Sequence, residues 1–357
     1  MSRKILVDLS SLKNIYSGLG QVALNYGFHF KNNYSFKNNI YELTFLLPRK
    51  FFGMFGNEVK YISSTNILRK HSHIFFTKYD VWHSIHQLSR YFPTHKTTKF
   101  ILTIHDLNYL YEKTGIKKTR LHGKIQRKIN RADSIICISD FCKQEVEKHM
   151  NLNGKQCKVI YNGVEHINSA ALTKPKIEIK EPFFFSIGVI LKKKNFHVLL
   201  DAMKLMPDKT LYIAGKESEK QSKNEYAIHI KHRIKEEGIH NVVMLGAVSH
   251  EEKVWLYKHC EAFIFPSLYE GFGLPIIEAL QFGKPVISSK ETSLLEIGDK
   301  HVAFLENFEP EQIKATILKH IQTMNESPDK VKKAIDYAHS FAYEKHFEQY
   351  EKIYTQL

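Results

Sequence analysis

Short apolar runs alternate with amphipathic stretches along most of this chain. Residues 5–9 (Ile-Leu-Val-Asp-Leu), 41–47, 59–62, 81–83, 100–104 and 132–139 are compact runs bounded by polar or turn-forming residues, and they read as buried strands. The intervening segments carry helical spacing or loop chemistry; within 117–131, Leu121, Ile125 and Ile129 recur at every fourth position. Strands separated by helices predict a parallel sheet, because parallel neighbours need a crossover between them. A polar stretch with two prolines at 167–182 reads as a linker. The pattern restarts at Phe183-Phe184-Phe185-Ser186-Ile187-Gly188 and continues through strands at 211–215, 242–246, 262–265 and 285–289. It predicts two doubly wound α/β domains, 1–168 and 169–340, with two helices over 310–339.

At 357 residues the chain exceeds one ordinary core, in keeping with two domains. No apolar stretch reaches the ~18 residues that span a bilayer. The first residues enter a strand where a signal peptide needs an apolar run, so a cytoplasmic protein is expected. The four cysteines (Cys137, Cys142, Cys157, Cys260) show no metal-ligand spacing.

Charge adds a second layer. Residues 1–168 hold 26 Lys and Arg against 11 Asp and Glu, whereas 169–357 hold 26 of each, so the whole excess of +15 sits in the N-terminal half. Such a half is drawn to anionic surfaces: acidic lipid headgroups, a phosphate-bearing acceptor, or nucleic acid. Lys117, Lys118, Arg120, Lys124, Arg127, Lys128 and Arg131 share one amphipathic helix, which is the candidate face for peripheral contact with an anionic membrane. The interleaved aromatics of a nucleic-acid platform are not evident, so no nucleic-acid partner is expected.

The chemistry concentrates at 265–278, Phe-Pro-Ser-Leu-Tyr-Glu-Gly-Phe-Gly-Leu-Pro-Ile-Ile-Glu: a strand end, a turn broken by Gly271 and Gly273, then a helix with Pro275 in its first turn. A helix start offers free N–H groups to an anion. Glu278, on the helix, can accept two hydrogen bonds from a vicinal diol, while Glu270 on the turn can meet a second polar group. Lys192-Lys193-Lys194, after Gly188 and ahead of another helix, make a plausible diphosphate site. Gly18 and Gly20 lie in a strand–turn–helix that opens the chain and could hold a phosphate. His105-Asp106 and Trp82-His83-Ser84-Ile85-His86 end apolar strands, where open α/β sheets place ligands. His83 and His86 have metal-like spacing but no evident third ligand, and an Asp-x-Asp motif is absent, so no metal is expected.

The 265–278 string resembles the donor-site signature of glycosyltransferase family 4, retaining enzymes of GT-B fold, in which two glutamates separated by seven residues face a sugar nucleotide. The His105-Asp106 pair, Asn162-Gly163-Val164 and the closing stretch 341–357 are similar to the family as well. The resemblance implies two Rossmann-like domains facing a cleft, the first for acceptor and the second for donor, with the last helix crossing back onto the first. It implies a nucleotide diphosphate sugar as donor substrate, no other cofactor and no required metal. Glu270 would orient the sugar, Lys194, helped by Lys193, would stabilise the leaving diphosphate, and Glu278 would hold ribose. His105 would touch the sugar, Gly18 and Gly20 would approach the diphosphate, and Gly188, Gly246, Gly273 and Leu274 would line the donor site. His83, His86 and Asp106 would line the acceptor pocket. Val189 departs from the arginine many members carry, which leaves more of the phosphate charge to Lys194. The Glu-Gly-Phe-Gly-Leu-Pro form points to GDP-mannose, with UDP-sugars as the alternative, and the acceptor would be a growing surface glycan or a lipid-linked one. Three other readings stay open: a basic anionic-surface or nucleic-acid binder, a non-catalytic member of the family, and a retaining phosphorylase.

Overall fold

The computed structural model describes residues 2–15, 17–32, 41–65, 78–166, 172–217 and 225–357. The chain divides into two compact units, Met1–Gly163 with Tyr343–Leu357, and Val164–Ala342. The boundary expected at 168/169 lies outside the described residues.

The N-terminal unit runs β1 (Arg3–Asp8), α1 (Gly18–Asn32), β2 (Tyr41–Leu47), β3 (Lys60–Ser63), β4 (Val81–Ser84), β5 (Lys99–Ile104), α2 (Tyr109–Glu112), α3 (Gly115–Arg131), β6 (Ser134–Cys137), α4 (Asp140–His149) and β7 (Cys157–Val159). Its strands form a parallel sheet of order β3-β2-β1-β4-β5-β6-β7. The central strands are apolar on both sides because helices cover both faces; Leu6, Trp82, Phe100 and Leu102 meet Ile125, Ile129 and Val146 in one core. Ser139 accepts from Cys142 N–H and caps α4, as its position at a strand–helix junction predicts. Gly18 and Gly20 stand in the first turn of α1 rather than in a loop before it.

The second unit continues with β8 (Phe183–Ile187), α5 (His197–Lys204), β9 (Thr210–Ala214), α6 (Glu225–Glu236), β10 (Val242–Gly246), α7 (His250–His259), β11 (Ala262–Phe265), α8 (Leu274–Leu280), β12 (Val286–Ser289), α9 (Ser293–Gly298), β13 (Ala303–Leu305), α10 (Pro310–Asn325) and α11 (Pro328–His339). Its parallel sheet has the order β10-β9-β8-β11-β12-β13. Both units are Rossmann-like, the architecture that the alternation of strands and helices predicts.

The last helix, α12 (Tyr343–Gln356), belongs to the N-terminal unit and is tied down by a buried network of histidines and tyrosines. His83 meets the Tyr354 hydroxyl at 2.7 Å through Nδ1 and the Thr103 hydroxyl at 2.9 Å through Nε2. Tyr350 OH lies 2.8 Å from the same threonine. His346 donates from Nδ1 to the Tyr161 carbonyl at 2.6 Å and accepts from Tyr26 OH at Nε2. His83 is therefore not a pocket-lining residue: it is fully buried, with both ring nitrogens committed to protein partners.

Burial pushes His83 down to about 3 and His346 down to about 4, against an ordinary 6.5. Both stay neutral when folded but take up protons when unfolded. Their contribution is full above pH 6.5 and is lost as pH falls from 6.5 toward about 4. Each can subtract up to ~2 kcal/mol by pH 5. Denaturant titrations at pH 7.5 and 5.0 should show the N-terminal unit weakening at the lower pH, with His83→Gln flattening the dependence.

Candidate active site

In the second unit the C-terminal ends of β8 and β11 lie side by side, because these strands are neighbours in the sheet. The chain leaving β8 makes one tight 3-10 turn, Lys192–Lys194, and the chain leaving β11 turns through 266–273 before α8. Leu268 N–H donates to the Lys193 carbonyl at 2.8 Å, and the Ser267 hydroxyl oxygen lies 3.2 Å from that carbonyl. The two turns are thus laced together through backbone. Across the seam Lys194 pairs with Glu270, their side chains only 12% and 17% exposed. Gly188 makes room for this pair, since a Cβ there would lie 2.9 Å from Lys194 Cε. The Lys194 ammonium also sits 4.9 Å from the centre of the Phe265 ring. Lys194 therefore turns toward Glu270, and Asn195 and Phe196 separate it from the start of α5.

The Ser267 hydroxyl donates at 2.6 Å to the Glu270 oxygen that Lys194 approaches. Burial works against a charge on Glu270. The Lys194 ammonium, the hydrogen bonds from Lys194 and Ser267, and nearby Lys193 together outweigh it and hold the carboxyl below its usual 4.5. Glu270 is an ionised carboxylate with one oxygen committed to Lys194 and Ser267. The turn ends at Gly273, which caps α8 at φ 112, a left-handed geometry that favours glycine. Leu274 and Pro275 then open a helix of seven residues.

Glu278, in α8, has different partners. Its carboxylate accepts from Lys253 Nζ at 2.7 Å and from Tyr257 OH at 2.9 Å, both on α7. A capping box between Ser249 and Glu252 fixes the start of α7 and with it the direction of these donors. Burial and the neighbouring carboxylate push the Tyr257 phenol well up, so it remains a donor. Gly246 ends β10 at φ 72, and its carbonyl accepts from Gly215 N–H at 2.7 Å, which closes the adjoining strand ends.

In the N-terminal unit, the C-terminal ends of β4 and β5 bring His86, His105 and Asp106 together. His105 donates from Nε2 to the Ile85 carbonyl at 2.8 Å, which leaves Nδ1 with a lone pair. Burial pushes its imidazole down to about 4. The His86 ring centre lies 5.9 Å from that of His105, and burial, with His105 and Lys128, pushes His86 well below 6.5. Both histidines are neutral near pH 7. Asp106 Oδ1 accepts from Asn108 N–H at 3.0 Å. Gln87, which sequence reasoning did not single out, brackets the pair: its Oε1 accepts from His105 N–H at 3.0 Å and its Nε2 donates to the Asp106 carbonyl at 2.8 Å.

The basic helix α3 divides its charges. Lys117, Arg120, Lys124 and Arg127 are exposed, Lys118 is half-buried, and Ile116 beside them is 87% exposed. Lys128 and Arg131 do not share that face. Lys128 is buried, donates to the Ser89 carbonyl and is pushed down to about 8 by burial, opposed by nearby Asp8. Arg131 donates to the His95 and Thr98 carbonyls at 2.9 and 2.6 Å. Among the described residues, no cluster of three or more His, Cys, Asp or Glu is arranged to hold a metal ion. No helix among them is long and apolar enough to cross a membrane.

Two units, each built on a parallel Rossmann-like sheet, have the GT-B architecture. Residues 170–340 match the model of glycosyl transferases group 1, and residues 30–166 match that of glycosyltransferase family 4. The chain belongs to glycosyltransferase family 4. It is 27% identical over 203 residues to the O-antigen chain mannosyltransferase RfbU of Salmonella typhimurium, covering 55% of this chain and 54% of that protein. It is 28% identical over 248 residues to O-antigen chain mannosyltransferase B of Escherichia coli, covering 65% and 63%. The chain thus spans between about half and two thirds of these relatives. The structure of HepE from Anabaena, solved in complex with UDP-glucose, has the same fold, with a TM-score of 0.75 at 17% identity over 99% of this chain and 100% of that one.

Proposed function

We propose that this chain is a retaining hexosyltransferase that moves a sugar from a nucleoside diphosphate donor to a growing surface glycan or a lipid-linked acceptor. The observation that carries the reading is the Glu270 carboxylate, held ionised beside Lys194 where open α/β sheets take ligands. A donor diphosphate competes with Glu270 for the Lys194 ammonium and draws it toward the leaving oxygen. Lys194, supported by Lys193, then supplies the positive charge that the departing diphosphate requires, and no metal is needed for that step. Glu270, released from part of its pairing, accepts hydrogen bonds from the sugar. Glu278 keeps lone pairs beyond those used by Lys253 and Tyr257 and accepts from the ribose diol. The acceptor hydroxyl attacks the anomeric carbon on the face the diphosphate leaves and passes its proton to the departing diphosphate oxygen, which retains configuration. His105 is assigned to sugar contact, and His86 and Asp106 to the acceptor.

Mannose from GDP-mannose is the favoured donor, since the relatives named above are mannosyltransferases. A UDP-sugar is the alternative, supported by the UDP-glucose complex of the similarly folded HepE. A thermal-shift screen of GDP-, UDP-, ADP- and dTDP-sugars should find GDP-mannose stabilising the wild type by ~2.7 kcal/mol at one hundred times its Kd. Glu278→Ala should abolish that shift. A panel in which no nucleotide sugar stabilises the wild type, or in which Glu278→Ala responds as the wild type does, contradicts the donor assignment.

The exposed face of α3 favours a second element of the reading, peripheral contact with an anionic lipid surface. Lys117, Arg120, Lys124 and Arg127 supply charge, and exposed Ile116 supplies an apolar contact at the head of the helix. Co-sedimentation with phosphatidylglycerol vesicles should exceed that with phosphatidylcholine, weaken with salt, and fall in Ile116→Ser and in Lys124→Glu. Equal binding to both vesicles would remove this element and leave the transferase reading intact.

A further inference from the structure

The turn that carries Glu270 is clamped by three consecutive residues at the start of α9: Thr292 at its N-cap, and Ser293 and Leu294 in its first turn. Thr292 Oγ1 accepts from the Glu270 backbone N–H at 3.1 Å. The Ser293 hydroxyl reaches the Glu270 carbonyl at 3.0 Å and the Phe272 carbonyl at 2.9 Å. Leu294 lies so close to Gly273 that a Cβ there would fall 2.8 Å from Leu294 Cδ2. Residues 292–294 therefore set the path of the main chain through 270–273, while Ser267 and Lys194 set the side chain of Glu270.

Thr292 makes this contact from an unfavourable backbone. Its φ of 54 and ψ of −130 lie where a β-branched residue is a rare outlier. A glycine would remove the strain, but it has no oxygen to offer Glu270. Ser293 is fully buried and Thr292 only half-buried.

We infer that Thr292 is a positioning residue for Glu270, its hydroxyl fixing the angle at which the Glu270 carboxylate meets the donor sugar. The inference rests on the role proposed above for Glu270. Glu278, assigned above to the ribose, is held separately by Lys253 and Tyr257, so the Thr292 contact does not touch the ribose contact. Thr292 acts on turnover.

The test compares Thr292→Gly, Thr292→Ala and Thr292→Ser with wild type and Glu270→Gln. It reads the thermal midpoint, the Kd for the nucleoside diphosphate, and kcat with the donor found in the screen. Thr292→Gly should melt at or above the wild-type midpoint, keep Kd within about twofold, and lose at least about tenfold in kcat, as sub-ångström misplacement of a reacting group does. Thr292→Ser, which keeps the oxygen, should recover kcat to within about threefold of wild type, and Thr292→Ala, which differs from it by that oxygen, should not. The Ala and Ser pair carries the comparison should the glycine variant melt early. Thr292→Gly and Thr292→Ala with wild-type kcat, beside an inactive Glu270→Gln, would overturn the inference and leave the transferase reading standing. A Glu270→Gln variant as active as wild type would overturn the role of Glu270, and the inference with it.

Discussion

The ion pair between Lys194 and Glu270 is the constraint around which the second unit is arranged. Two charges this little exposed lose hydration, and they persist only with close pairing and further hydrogen bonds. The fold provides both. Parallel pairing of β8 with β11 brings two unrelated stretches of sequence to one point, and the Lys193 carbonyl, accepting from Leu268 N–H, stitches their turns together through backbone. Ser267 then completes the carboxylate, and Gly188 leaves the lysine stem room to lie flat. The result is an ionised acid and a half-buried ammonium held together at the strand ends.

The N-terminal unit solves a different electrostatic problem. Its sheet ends carry histidines that burial keeps neutral, and helix α3 exposes Lys117, Arg120, Lys124 and Arg127. Neutral His86 and His105 can donate or accept hydrogen bonds without attracting counter-ions. The exposed lysines and arginines of α3 act at longer range, where salt screens them.

Much of this was legible in the sequence. The alternation of apolar runs with amphipathic stretches located most strands of both sheets, though not the three-residue β7 and β13, because a strand covered on both faces must be apolar throughout, as Phe183 to Phe185 and Phe100 to Ile104 are. The Glu270 and Glu278 spacing and the lysine cluster drew attention because charge beside glycine turns is unusual chemistry for a strand end. Contacts between distant segments were not legible. Lys253 and Tyr257 look like ordinary helix residues until α7 packs against α8, and Thr292, Ser293 and Ser267 look like solvated hydroxyls until the two loops meet. His83 misled for the same reason. Its place at a strand end indicated a ligand, but α12, more than two hundred and fifty residues later, supplies Tyr354 and buries it. The basic helix misled by two residues, since amphipathic spacing counts charges but does not reveal that Lys128 and Arg131 find carbonyl partners within the unit.

The central claim is that Lys194, released from Glu270, receives a diphosphate. Calorimetric titration of the wild type and Lys194→Met with a nucleoside and with its diphosphate tests this most directly. The account predicts that the wild type binds the diphosphate far more tightly than the nucleoside, and that Lys194→Met loses that increment while binding the nucleoside as before. A Lys194→Met variant that retains the full preference for the diphosphate would contradict it.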